Sequence, residues 1–170
     1  MILPSRLRWL SLTLVVVILD RATKAWIESR PINFFPHVVI PNYFSIIYSK
    51  NPGIAFSFFS NFNSMTTRLF FIVGSLLIIA LIAWLLVAAS DASRINAMGL
   101  ALLLGGAAGN LTDRIVHGAV TDFLEVWLRF LPFQIFNPWP TFNVADAAVT
   151  IGAILLIFDV LFHPGPAKQK

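Results

Sequence analysis

Cysteine is absent from this sequence. That excludes disulfides, thiol nucleophiles and Cys-ligated metals. Charge is scarce as well: only 12% of the 170 residues are Asp, Glu, Lys or Arg, where a soluble domain carries roughly 25%. The net charge of +4 is modest and its basic residues are scattered, which leaves no electrostatic footprint for nucleic acid. His37, His117 and His163 show no H-E-x-x-H or other metal spacing. There is no G-x-S-x-G, and no Ser–His pairing offers itself for nucleophilic catalysis. No internal repeat is evident.

What fills the chain instead is apolar: 58% of it is hydrophobic. The reading is an integral membrane protein forming one compact domain, residues 1–170. A spanning helix needs about 20 mostly apolar residues, and four segments qualify, at about 7–27, 67–89, 95–115 and 143–162. The first follows Arg6 and Arg8, as a signal peptide would, but runs directly into Asp20, Arg21 and Lys24 without an A-x-A-like cleavage site. It reads as a retained transmembrane helix. Residues 28–66 contain "HVVIPNYFSIIYS" and "GIAFSFF", short β-branched and aromatic runs broken by Pro, Asn and Gly, which predict strands of a small sheet. Residues 117–141 end in "LPFQIFNPWPTF", an ordered interfacial piece by composition. Ser90 to Arg94 reads as a tight turn. Four spans put both termini on one side with that turn, and both long connections on the other. Charge counting does not decide which side is cytoplasmic, because basic residues lie at both ends.

Ionisable residues inside spans are expensive, at least ~2.5 kcal/mol at the centre, and mark functional sites by default. At about 1.5 Å per residue, Asp20 lies roughly 18 Å from Arg8, Asp113 roughly 25 Å from Asn96, and Asp146 about 5 Å from Asn143. In an up-and-down bundle these three carboxylates approach the same membrane face, and Asp122 joins them just past the third span. Asn110, Asp113 and Arg114 share one helix face, as do Asn143 and Asp146, while Asp20 and Lys24 have the i, i+4 spacing of a local ion pair. Gly105 and Gly109 permit close helix packing behind that polar face. Blander readings stand beside these. Arg21 and Lys24 suit snorkelling to the interface; Asp159 suits an interfacial position without chemistry; Asp113 and Arg114 suit a structural ion pair. Asn110 and Asn143 suit backbone hydrogen bonding or capping, and Asp146 suits a helix-dipole carboxylate. With nucleophiles and metals excluded, paired carboxylates are the remaining chemical resource. Two adjacent aspartates share a proton and can activate water, the chemistry of an aspartic peptidase. Spacing alone leaves a proton-coupled transporter and an ion-pair-stabilised scaffold open.

Five blocks then narrow the choice: "LDRATK" (19–24), "KNPGIAFS" (50–57), "GGAAGNLTDR" (105–114), "GAVTDF" (118–123) and "FNVADAAVTIG" (142–152). In these, in order and over nearly its whole length, the chain resembles the bacterial lipoprotein signal peptidases (signal peptidase II). The resemblance implies an α-helical integral membrane protein of the bacterial inner membrane. It would have four transmembrane helices, both termini cytoplasmic, and a small extracytoplasmic β-sheet, a β-cradle, from residues 28–66. It implies an aspartic endopeptidase that cleaves diacylglyceryl-modified prolipoproteins just before the lipidated cysteine, near the extracytoplasmic face. Asp122 and Asp146 take the catalytic positions. Asn51, Asn110, Arg114 and Asn143 match substrate-binding positions, and Asp20, Lys24, Gly53 and Asp113 match supporting ones. No cofactor or metal is implied; the expected partners are prolipoproteins and membrane lipids, with no nucleic acid, and the expected state is a monomer. The chain departs from the family pattern at Ile54, which replaces an alanine, at Lys50, and in the long 125–141 stretch with its three prolines. These bear on the shape of the cleft, and the stretch around Pro132 to Pro140 is the expected lid.

Overall fold

The computed structural model describes residues 7–53, 64–88, 93–129 and 137–162. Residues 54–59 of "GIAFSFF", residues 90–92 of the expected turn and residues 132–136 of the expected lid lie outside the described residues. Among the described residues there are four α-helices: α1 (Leu10–Glu28), α2 (Ser64–Ala88), α3 (Arg94–Val116) and α4 (Val144–Phe162). Their bounds follow the sequence-predicted spans to within three residues. α2, α3 and α4 are each long and apolar enough to cross a membrane. α1 has the length but carries Asp20, Arg21 and Lys24 in its second half, and the bundle has to accommodate them.

α3 is the central helix and packs against the other three. Half of its most apolar stretch is buried, against 11% for α2 and 22% for α4. Composition explains the difference. α2 is rich in Leu, Ile and Phe on every side and presents Leu69, Leu77, Leu81 and Trp84 outward, surface that only lipid solvates well. α3 is rich in Gly and Ala and lets neighbours approach. A Cβ on Gly105 would lie 2.7 Å from Val16 Cβ of α1, and one on Gly109 only 2.6 Å from the carboxylate of Asp20. Gly106 faces the other way, where its Cβ would meet the α4 backbone at Ala145 and Val149 Cγ2 at 2.7 Å. The predicted small-residue seam is therefore real, but it lies against the polar residues of α1 as well as behind them.

The sheet has three antiparallel strands in the order β1 (His37–Ile40), β2 (Phe44–Asn51), β3 (Val120–Val126). β1 and β2 come from the predicted region, joined by a tight turn in which Asn42 adopts φ 68° and the Tyr43 N–H bonds Ile40 O at 3.0 Å; Asn tolerates that left-handed conformation better than most residues. The third strand comes from beyond α3, where no strand is predicted. "VTDFLEV" lacks a clean polar alternation because its first four residues are all buried. β3 is then tied to the chain entering α4: the N–H groups of Phe123 and Leu124 donate to Phe142 O, and the Phe142 N–H returns a bond to Leu124 O. This places the start of α4 beside residue 122.

Candidate active site

Four elements converge at one end of the bundle. Asn143 caps α4, and its side-chain oxygen accepts the Asp146 N–H at 2.9 Å while Asp146 Oδ2 accepts the Asn143 N–H at 3.2 Å. This reciprocal capping box satisfies two orphan donors of the helix start and fixes the Asp146 carboxylate. Asp146 Oδ1 accepts from Asn110 Nδ2 of α3 at 2.7 Å. Asp122, on β3, is 2% exposed; its Oδ1 accepts from Asn143 Nδ2 at 2.8 Å and its Oδ2 from Asn51 Nδ2 of β2 at 3.0 Å. One residue, Asn143, thus donates to both carboxylates. Asn51 is itself oriented by a local turn, in which the Gly53 N–H bonds its Oδ1 at 2.9 Å. Gly53 has φ +88° and packs beneath the Phe71 ring, a backbone conformation and a closeness that a side chain would disrupt.

Behind the pair lies a second, fully buried layer. Lys24 Nζ reaches Asp20 Oδ2 at 2.9 Å, Asp113 Oδ2 at 2.8 Å and Asn110 Oδ1 at 3.1 Å. An ammonium has three N–H donors, so every one is used. Asp20 Oδ1 accepts the Ala145 N–H at 3.0 Å, placing an anion on the positive end of α4. Asp113 also binds Arg21 and accepts the Thr121 N–H at 3.3 Å. The expected i, i+4 pairing of Asp20 with Lys24 is present.

Three sequence readings are corrected here. Lys24 does not snorkel: it is completely buried, because α1 packs its charged turn against α3 rather than toward headgroups. Arg21 likewise turns inward to Asp113. Asp113 does not pair with Arg114; adjacent helix residues point in different directions, and Asp113 faces α1 and β3 instead. Asp159, placed near the terminal side as expected, is buried there and accepts a hydrogen bond from Ser93, the N-cap of α3. Arg114, half-buried, lies 5.5 Å from the Phe71 ring centroid, makes one long bond to Asn110 O at 3.5 Å, and leaves its buried Nε without a hydrogen-bond partner among the described residues.

Asn51, Asp122 and Asp146 line one cavity of about 590 Å³, whose remaining wall includes Trp139, Phe142 and Ile151. Ile151 is 52% exposed on the lipid-facing side of α4, so the cavity runs from the carboxylates to the bundle surface. A larger hollow of about 690 Å³ lies at the opposite end, between Arg8 and Arg94, and contains no carboxylate. Burial pushes the Asp122 carboxyl above the usual range and the charge of Asp146 pushes the same way, while the Asn51 and Asn143 amides oppose the rise. Among the described residues no cluster suits a metal ion. Sequence reasoning missed Glu28, Thr121 and Arg68. Arg68 caps α3 by donating to the carbonyls of Arg114 and Ile115, a cation at a helix C-terminus. Nothing in their spacing signals these contacts, which join residues 46 and 93 positions apart.

A bundle of membrane-length helices whose polar residues converge on two carboxylates beside an apolar cavity is the architecture of a membrane-embedded enzyme. Comparison with known proteins sharpens this. The family model described as Signal peptidase (SPase) II matches residues 12–162. A lipoprotein signal peptidase of Yersinia pseudotuberculosis is 41% identical over 93% of this chain and 89% of its own length. That of Pseudomonas putida is 40% identical over 91% and 87%. Two solved bacterial membrane enzymes superpose with a TM-score of 0.76, at 28% identity over 96% of this chain and 93% of theirs for one, and 29% over 92% and 94% for the other. The chain belongs to the signal peptidase II family and is a membrane-embedded aspartic endopeptidase. The transporter and scaffold readings fall away.

Proposed function

We propose that this peptidase removes the signal peptide from diacylglyceryl-modified prolipoproteins, cleaving just before the lipidated cysteine, with Asp122 and Asp146 as the catalytic pair. The observation that carries the reading is Asn143, which donates to both carboxylates from the cap of one helix. The two acids are thereby held together at one cavity. Charge supports a shared proton. The hydrogen bonds on Asp122 and Asp146 come from the neutral amides of Asn51, Asn110 and Asn143, while Lys24 and Arg21 are engaged by Asp20 and Asp113, so a second negative charge on the pair has no cation bonded to it. An unpaired buried charge is costly, and neutralising it by protonation is the usual outcome.

The ionised member takes a proton from water as the water oxygen attacks the scissile carbonyl, while the protonated member gives its proton to the carbonyl oxygen. A gem-diol results; the member that took the water proton passes it to the amide nitrogen, the other takes a proton back from a diol hydroxyl, and the C–N bond breaks, leaving an acid, a free cysteine amine and the pair again holding one proton. Asn51, Asn110 and Asn143 hold the carboxylates in the free enzyme. Arg114, half-buried against the Phe71 ring, is the cation assigned to substrate backbone, where bilayer water is scarce. The apolar wall toward Ile151 suits acyl chains, worth about 0.8 kcal/mol per buried CH₂. The same reading has the site near the extracytoplasmic face, both termini in the cytoplasm, a monomer, and no cofactor. The test is a gel-shift assay with purified enzyme and lipidated prolipoprotein: Asp122→Asn and Asp146→Asn each abolish cleavage in a folded protein. Normal turnover by either variant overturns the pairing.

A further inference from the structure

Lys50 sits in a closed polar ring that the catalytic scheme does not use. Its Nζ donates to Glu28 Oε1 at 2.7 Å and to Thr121 Oγ1 at 2.8 Å, and Thr121 Oγ1 donates to the same Glu28 oxygen at 2.6 Å. The three residues belong to the end of α1, to β2 and to β3. Thr121 is fully buried, whereas the Lys50 and Glu28 side chains are 34% and 23% exposed.

The position of this ring in the sheet gives it leverage on the site. Lys50 and Thr121 are directly paired across β2 and β3, and the neighbouring pairs are Asn51 with Val120 and Ser49 with Asp122. The β2–β3 register is irregular between Ile46 and Ser49, so backbone pairing up to Ile46 does not by itself dictate the alignment beyond the shift. The side-chain ring sits on the site-bearing side of that irregularity, one residue from Asn51 and one from Asp122. Slippage there would carry the Asn51 amide away from Asp122 Oδ2, since a one-residue shift turns a strand's side chains to the other face. Glu28 adds the reference frame, because α1 also holds Asp20 on the start of α4.

We propose that Glu28, Lys50 and Thr121 form a positioning clamp for the peptidase reaction, which locks β2 and β3 to α1 and so keeps Asn51 on Asp122. The proposal rests on Asp122 being catalytic, as above. Purified Lys50→Met and Glu28→Gln are assayed against the lipidated substrate, with Asp122→Asn alongside and thermal unfolding recorded for each. The clamp predicts that kcat falls about tenfold or more, as misplacement of a reacting group does, with KM within about twofold, since no substrate contact is removed. Lys50→Arg restores most of kcat, because a guanidinium can span the same two oxygens. The double variant is no slower than the worse single one, since each breaks the same ring. Wild-type kcat in folded Lys50→Met and Glu28→Gln overturns the clamp, as does a rise in KM at unchanged kcat, which would mark Lys50 as a substrate contact. A fall in kcat tracking a lowered unfolding temperature in both variants also overturns it in favour of plain stability. Activity in Asp122→Asn, by contrast, overturns the catalytic assignment and leaves these outcomes separable.

Discussion

At the scale of single residues, the site is built mainly from carboxamides. Asn51, Asn110 and Asn143 each place an N–H on an aspartate without adding charge, so they hold the pair in place yet leave a proton free to move between its members. Asn51 has a measurable electrostatic consequence. Burial and the charge of Asp146 raise the Asp122 carboxyl above its ordinary value of 3.8, and the Asn51 bond pulls it down. A pair that works with one proton loses activity on the basic side when it gives that proton up, and the raised Asp122 carboxyl is the group that holds it. The basic limb of kcat/KM is therefore expected above the range of a free aspartate, and Asn51→Ala moves it to still higher pH. A pH–rate profile of the variant with an unmoved or lowered basic limb contradicts this sign. The convergence of the acids and the Asp20–Lys24 pair were legible in the sequence; the partners of Asp113 and the other acceptors of Lys24 were not, because i, i+3 and i, i+4 spacing ranks neighbours on one helix and is silent about which helix lies opposite.

At the scale of elements, the helices were readable from hydrophobic length, and the strand bearing Asp122 was not. β3 is buried over its first half and pairs with a strand some 70 residues earlier, so neither alternation nor a hairpin turn announces it. Helix packing makes a sharper prediction from two glycines. Gly106 of α3 has no room for a Cβ, since the α4 backbone at Ala145 and Val149 occupy the space, whereas Gly74 of α2 has nothing within 4 Å. Gly106→Ala is expected to destabilise the fold by about 1–3 kcal/mol through overpacking. Gly74→Ala is expected to be neutral or to stabilise by roughly 0.5–1 kcal/mol, the helical cost of glycine. Thermal unfolding in detergent checks both, and equal effects would mean that the α3–α4 contact does not govern stability.

At the scale of the whole molecule, α2 and α4 present large apolar side chains outward, and the buried charges, Asp159 apart, are gathered inside one end. A charged network of this kind is tolerated in a bilayer because its carboxylates are hydrogen-bonded and shielded by the bundle. The proposed orientation has a direct test, which the natural absence of cysteine makes clean. Ser29→Cys, at the exposed end of α1 next to the site, is expected to react with a membrane-impermeant maleimide in intact spheroplasts. Lys168→Cys is expected to react only after the membrane is opened. The reverse pattern would invert the protein and remove its access to exported substrates.

Much of this protein was determined by its sequence alone: a membrane location, four helices and their bounds, and the convergence of acidic residues on one face. Those follow from hydrophobic length and helical rise, which are local properties of a chain in lipid. Tertiary structure decided which acids stand together, and it did so through contacts no spacing encodes. Phe142 binding β3 brings Asn143 and Asp146 to Asp122, and Gly106 and Gly109 let α3 close on α4 and α1. Lys24, which by sequence belongs at the interface, becomes the buried cation that holds the second layer of carboxylates, because only close packing in a low dielectric makes burying it with three acceptors better than leaving it exposed.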